Sequence, residues 1–228
     1  IDKNIFDNFI QDIFILNKLG ISIIVVHGGG PRIKKELEKS NIPTKFIKGL
    51  RVTDEKIINI VEKVLIEFNN DIVDSLNKKG LKSVPINTQT KNIISVTPEN
   101  EELGFVGIPK KIDNGVINEL IKKNRIPIVA PLGLGNNEQT YNINGDTAAG
   151  AIAKSLKSRR LLLMTNVEGV LNKEGKLVSE ISSSKIFGMI KNGTITGGMI
   201  PKINTCLDSV SNGVRGVVIM DGRKPHSI

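Results

Sequence analysis

The chain has 228 residues, 39% of them hydrophobic and 24% charged, with a formal net charge of +9. That is enough apolar chain for one large domain or two small ones, and too much for disorder. The single Cys206 excludes an internal disulfide and a cysteine-based zinc site, and no apolar run approaches the roughly 20 residues of a membrane-spanning helix.

The elements follow in chain order. Ile5, Phe6, Phe9, Ile10, Ile13 and Phe14 share one helical stripe, and Gly20 follows where such a helix stops. The run "ISIIVV" (21–26) predicts a buried parallel strand. Pro31 suits the first turn of a helix reaching about Lys39. Asp54 can cap a long helix from about Glu55 to Leu76, with Gly80 just past its end. Residues 82–108 change character: "SVPI", "NIISV" and "GFVGI" predict short strands, a β-rich excursion that could cover a bound small molecule. A helix near 114–124 then leads into the strand "RIPIVA" (125–130). "GDTAAGAIAKSL" (145–156) predicts a capped helix, "RLLLMT" (160–165) a strand and "NKEG" (172–175) a turn. Helices near 183–192 and 199–212 and the strand "RGVVIM" (215–220) complete the chain.

Strands alternating with helices predict an α/β fold, a mainly parallel sheet covered on both faces, with ligands beyond the carboxyl ends of the strands. The candidate motifs fall at such ends. Lysines are scattered and not interleaved with aromatics, as in "IKKELEKS" and "VEKVLIEFNND". They therefore read as solvated helix faces that attract anionic small molecules, not as a nucleic-acid platform. The first residues as given carry no secretory pattern, and no repeat or linker separates independent domains.

"VVHGGGP" (25–31) joins a strand to a helix. Glycines let a ligand approach backbone amides, and a helix start offers unpaired N–H groups and a positive dipole end. The loop is therefore either an anion site or a tight turn in which glycine merely satisfies the backbone. It fits neither the Walker A pattern nor the dinucleotide-binding fingerprint. In "KGLRVTD" (48–54), Arg51 could clamp a carboxylate with its planar fork, or could be a surface residue beside an N-cap. In "YNINGDTAAG" (141–150), Asn142 and Asn144 would face opposite ways if extended. Asp146 there could cap the helix or orient a charged group. In "TITGGMIPK" (194–202), Lys202 could neutralise charge on a transferring phosphoryl group, or be solvated. His27 and His226 have no metal-ligand spacing, so no metal site is expected. Cys206 reads as packing.

In this order the motifs "VVHGGGP", "GLRVTD", "YNINGDTAAGAIA", "LLLMTNVEGVL" and "GGMIPK" resemble the amino-acid kinase family along nearly the whole chain. Within that family the set resembles the branch that phosphorylates N-acetylglutamate. The resemblance implies a three-layer αβα sandwich with a central, mainly parallel sheet, in one kinase domain spanning 1–228. Residues to about 145 would bind the amino-acid substrate, and residues from about 146 would bind ATP. It implies ATP-dependent phosphorylation of the side-chain carboxylate of N-acetyl-L-glutamate, giving an acyl phosphate, in the second step of arginine biosynthesis. Gly29 and Gly30 would bind the substrate carboxylate and the incoming phosphoryl group. Arg51 would hold the α-carboxylate, and Asn142 would help bind substrate. Lys202 would stabilise transition-state charge, with Asp146 orienting it. Asn166, Val167, Glu168, Gly169, Val170 and Leu171, with Thr194, Ile195 and Thr196, would flank ATP, and Mg²⁺ would bridge its phosphates. The nucleophile is the substrate's own carboxylate, so no protein base is required.

The resemblance also implies a homo-oligomer, dimer or hexamer, in plastid stroma or cytoplasm, with a PII signalling protein as an expected partner if the chain is of the plastid or cyanobacterial type. No nucleic acid or membrane is expected as a partner. The family pattern opens with a strand leading into Lys-x-Gly-Gly, and this chain starts at "IDKNIFDNF". The expectation is that both ends are trimmed, and that a chain of this extent is poorly stable and nearly inactive until that segment is restored. Asn166 stands where the family usually has Asp, and Gly145 where it usually has Ala.

Overall fold

The computed structural model describes residues 3–197 and 199–228; Gly198 of the GGMIPK motif lies outside the described residues. The helices are α1 (Lys3–Lys18), α2 (Gly30–Lys39), α3 (Glu55–Lys78), α4 (Asn114–Lys122), α5 (Gly145–Ser155), α6 (Ser183–Lys191) and α7 (Met199–Ser211). The strands are β1 (Val25–Val26), β2 (Phe46–Ile47), β3 (Leu50–Arg51), β4 (Ser83–Ile86), β5 (Ile94–Pro98), β6 (Gly107–Ile112), β7 (Ile126–Val129), β8 (Leu132–Leu134), β9 (Thr140–Asn142), β10 (Leu161–Thr165) and β11 (Val217–Asp221). The chain divides into two compact units. One is Ile13–Ala149; the other is Gly150–Ile228 together with the residues up to Asp12.

In the first unit, β1, β7 and β4 form a parallel sheet in that order. All four residues of β7 are buried, as its apolar sequence requires of a central parallel strand. Helices α2 and α3 pack through Ile33, Leu37, Ile57, Val61, Val64 and Leu65 against Ala130 and Leu132. The Asp54 carboxylate caps α3, accepting from the Ile57 amide at 2.9 Å, and Gly80 follows its end at φ +82°. A second sheet runs β6–β5–β8–β9, with antiparallel outer pairs and a parallel central one.

Two expectations change here, and one further element appears. "ISIIVV" narrows to Val25–Val26. The amides of Ile126 and Ala130 donate to the Lys82 and Ile86 carbonyls, so the alternating positions 127 and 129 face β1. Position 127 is Pro, which has no N–H to extend that ladder towards residue 23. "SVPI" belongs to the parallel sheet as β4, so only β5 and β6 leave it for the second sheet. The hairpin β2–β3 has no counterpart in the sequence reading. Its two-residue loop, Lys48 at φ +48° and Gly49 at φ +84°, matches the primed turn that tight hairpins favour.

The second unit carries the parallel pair β10–β11, in register from Leu161↔Val217 to Thr165↔Asp221. One core joins Val170, Ile186, Met189, Ile195 and Ile203. Cys206 is buried on α7 as a packing residue. No helix among the described residues is long and apolar enough to cross a membrane.

Candidate active site

The glycine loop follows β1, where the His27 amide still donates to the Val129 carbonyl at 3.2 Å. Gly29 is the N-cap of α2, and Pro31 stands in its opening turn. None of the three glycines has positive φ, so the backbone conformation does not demand them. A Cβ on Gly29 would lie 2.5 Å from the Leu65 side chain, so packing on α3 requires that glycine. A Cβ on Gly28 or Gly30 would meet nothing within 4 Å. The tight-turn explanation thus accounts for one glycine of three, and the other two leave open space beside amides that form no hydrogen bond among the described residues. A Cβ on Gly145 would lie 3.7 Å from the His27 carbonyl oxygen and 3.8 Å from Gly28 Cα. The openings of α2 and α5 therefore meet at this loop, and both helix dipoles present their positive ends there. The family's usual alanine at 145 would fit at ordinary contact distance.

Of the two roles open to Asp146, the cap of α5 falls to another residue. Asn144 Oδ1 accepts from the amides of Asp146 (3.0 Å) and Thr147 (3.1 Å), and its carbonyl accepts from Ala148. Asn144 is the cap, and Asp146 lies inside the first turn of the helix.

Arg51 is only 8% exposed, yet among the described residues no carboxylate pairs with it. Its guanidinium lies 4.8 Å from the Phe46 ring centroid and donates to Thr44 Oγ1 at 3.3 Å, and burial lowers its pKa. A desolvated cation without a counter-ion is costly, and an anionic ligand would offset that cost. The buried Thr53 hydroxyl donates to the Arg51 carbonyl at 2.8 Å and accepts from Asn142 Nδ2 at 3.4 Å. Asn142 is further held by its amide on the Phe105 carbonyl (2.9 Å), and Thr140, two residues earlier, donates to Glu62 on α3. Arg51 and Asn142 are thus joined through Thr53.

Sequence reasoning missed a buried polar chain behind the loop. Asn87 Oδ1 accepts from the Gln89 and Thr90 amides, which leaves Asn87 Nδ2 to donate to Asn69 Oδ1 at 3.2 Å. Asn69 Nδ2 donates to the Ile128 carbonyl (2.8 Å) and to His27 Nε2 (3.0 Å). His27 Nδ1 in turn donates to the Gly28 carbonyl at 2.9 Å. The available signal was Asn69 itself, at i+4 from Leu65 and i−3 from Ile72 on the apolar stripe of α3.

Burial lowers the His27 pKa from 6.5 to about 4, with nearby Arg32 adding to the shift and the Gly28 hydrogen bond opposing it. The unfolded chain therefore binds a proton below pH 6.5 that the folded chain refuses until about pH 4. Folding stability present above pH 6.5 should fall by up to about 3 kcal/mol as pH drops through that window. Urea unfolding at pH 7 and pH 4.5 should show this loss, and His27→Asn should flatten it. Equal slopes in both proteins would refute it.

In the second unit, residues 166–171 follow β10. Glu168 pairs with Lys224 at 2.5 Å. Val170 and Ile195 are core residues, so only their backbones remain for a ligand, whereas Val167 and Leu171 are exposed. Gly169, at φ +148°, sits 2.9 Å (as a notional Cβ) from Leu177. Thr194 is held by Asn192 Oδ1, and the Ile195 amide donates to the Met189 carbonyl. Lys202 lies in the opening turn of α7, next to the core residue Ile203. The segments around 170, 195 and 203 therefore share one core. Asp221, after β11, is held ionised by the Arg223 side chain and amide, which bring its pKa down to about 2. His226 pairs with Asp12, a contact no spacing argument indicated.

Residues 2–221 match the sequence pattern that defines the amino acid kinase family. The chain belongs to the amino acid kinase family. Its relatives in that family include the acetylglutamate kinase of Pelagibacter ubique, 53% identical over all of this chain and 79% of that protein. The acetylglutamate kinase of Jannaschia sp. is 46% identical over 97% of this chain and 78% of its own length. A crystal structure of smu.665 from Streptococcus mutans UA159 superposes with a TM-score of 0.87 at 33% identity, covering 93% of this chain and 87% of that one. The mainly parallel α/β architecture is therefore that of the family.

Proposed function

We propose that this chain phosphorylates the side-chain carboxylate of N-acetyl-L-glutamate with ATP, the second step of arginine biosynthesis. The observation that carries the proposal is likeness over 97–100% of the chain to proteins named acetylglutamate kinase. In this scheme the unit Ile13–Ala149 holds the amino-acid substrate and the unit with Gly150–Ile228 holds the nucleotide. Arg51, buried and without a carboxylate partner, takes the α-carboxylate, and Asn142 takes a polar group beside it. The amides of Gly29 and Gly30 receive the reacting carboxylate and the phosphoryl oxygens.

A substrate carboxylate oxygen attacks the γ-phosphorus, its bond to the β-phosphate oxygen breaks, and ADP leaves. The carboxylate is already ionised at neutral pH, so no proton moves at the nucleophile and no protein base is needed. Catalysis is positioning and charge neutralisation. Lys202 neutralises the phosphoryl oxygens, and Asp146, in the first turn of α5, orients cationic groups. Residues 166–171 and 194–196 flank the nucleotide. Mg²⁺ would be held chiefly by ATP's own phosphates.

A soluble homo-oligomer, dimer or hexamer, in cytoplasm or plastid stroma completes the proposal, with a PII signalling protein as a candidate regulator. The test is a hydroxylamine trap. The protein with the family's opening Lys-x-Gly-Gly segment present, given ATP, Mg²⁺ and N-acetylglutamate, should yield a hydroxamate, and omission of N-acetylglutamate should abolish it. Tight ATP binding without any hydroxamate would instead identify a non-catalytic binding protein on the same fold.

A further inference from the structure

The chain Asn87–Asn69–His27–Gly28 has a single consistent direction. Backbone amides at residues 89 and 90 fix which atom of the Asn87 carboxamide is the oxygen. Asn69 is fixed at both ends, by Asn87 Nδ2 on its oxygen and by the Ile128 carbonyl on its nitrogen. Since an amide nitrogen only donates, His27 Nε2 must accept; since a carbonyl only accepts, His27 Nδ1 must carry the proton. All three side chains are buried, with Asn69 at 0%, Asn87 at 2% and His27 at 6% exposure. The ring is also held edge-on against Phe68, centroids 5.1 Å apart. This is a polar network with every member satisfied, ending on the carbonyl of a glycine whose own side is open.

The peptide between Gly28 and Gly29 is planar and trans, so its C=O and N–H point in opposite directions. Gripping the Gly28 oxygen from inside the protein therefore aims the Gly29 N–H the other way. Glycine flanks this peptide on both sides, so side-chain sterics do little to resist its rotation. We infer that His27, in its Nδ1–H tautomer, is a positioning residue that sets the direction of the Gly29 amide for phosphoryl transfer, with Asn69 and Asn87 holding the tautomer. The imidazole touches no substrate and transfers no proton. Its role resembles that of a group behind a metal-ligating histidine, where the partner of the far nitrogen decides what the near one does.

This inference rests on the proposed phosphorylation of N-acetylglutamate, and two measurements keep the two ideas separable. The first needs no activity. Nitrogen-15 NMR of the intact protein at pH 7 should show His27 protonated at Nδ1 and bare at Nε2, and an Nε2–H tautomer would overturn the inference whatever the substrate. The second uses two variants. His27→Asn places an amide where Nδ1 was and can still hold the Gly28 carbonyl. His27→Gln places its head group near Nε2 and can still satisfy Asn69, but it leaves Gly28 ungripped. If the amide direction matters, His27→Gln should lose about 100-fold in kcat with KM for ATP within about threefold, the size expected for a misplaced oxyanion donor. His27→Asn should retain at least tenfold more activity than His27→Gln. Equal kcat in the two variants, or losses confined to thermal stability, would overturn the inference while leaving the kinase activity intact. An unmodified protein that makes no acyl phosphate from N-acetylglutamate would overturn the proposed function instead, with the tautomer result still standing. Should His27→Gln fail to fold, the NMR result decides.

Discussion

Replacing Arg51 with Met should weaken the use of N-acetylglutamate on the order of 100-fold in kcat/KM while leaving the fold as stable as before. The first half follows from removing one partner of a buried, hydrogen-bonded charge pair, a change that costs about 3 kcal/mol in binding systems. The second half follows from the free protein. There the guanidinium is 8% exposed, has Phe46 and Thr44 for company and no carboxylate among the described residues. Methionine of similar length loses the ring contact and the Thr44 bond, but it also sheds the desolvation of an uncompensated cation. The expected result is a raised KM for N-acetylglutamate, an unaltered KM for ATP and an unfolding midpoint that does not fall. A matching rise in KM for ATP, or a large fall in midpoint, would mean that Arg51 supports the structure rather than the substrate. This is the pattern of a site that gives up some stability so that a ligand can supply the missing interaction.

How far the sequence revealed this site can be judged residue by residue. Local chemistry was legible where the signal lies within a few residues. Asp54 ahead of a long apolar stripe caps α3, and Pro31 opens α2. The glycine loop and Arg51 were recognisable as candidates because their residue types are unusual for their positions. What failed needed partners distant in the chain. The length of β1 depends on Pro127, a hundred residues away, through the side of the ladder its missing N–H would serve. The β2–β3 hairpin turns at Lys48–Gly49, and lysine is not a residue that announces positive φ. Asn144 and Asp146 are both able caps, and only the backbone geometry chose between them. Asn69 lies within "VEKVLIEFNND", a stretch whose charges read as a solvated face. It is fully buried because His27 and the Ile128 carbonyl satisfy it there. Polar residues that serve a site from within the core leave only a faint pattern in sequence, a break in an apolar stripe, because their purpose is defined by what folds against them.

Changing Lys202 to Met should act mainly on the chemical step. Lys202 sits in the opening turn of α7, which carries no acidic residue in its first turn. A cation at that end opposes the helix dipole by about 0.3–1 kcal/mol. The helix dipole disfavours a lysine there, whereas neutralising a phosphoryl group gives it a direct use. Its neighbour Ile203 is fixed in the core with Val170 and Ile195, so the backbone beneath the lysine stays in place when the side chain changes. Loss of one charge-stabilising group costs about 10²–10³-fold in kcat in comparable oxyanion sites. The expected result for Lys202→Met is a fall of that size in kcat, with KM for N-acetylglutamate within about threefold. Lys202→Arg should recover only part of the rate, because a planar guanidinium cannot occupy the same point as a compact ammonium. Steady-state kinetics with the hydroxamate readout, paired with thermal unfolding, measures both quantities on the same preparations. A variant that loses rate and midpoint together would place Lys202 among the structural residues of α7 and remove it from the transition state.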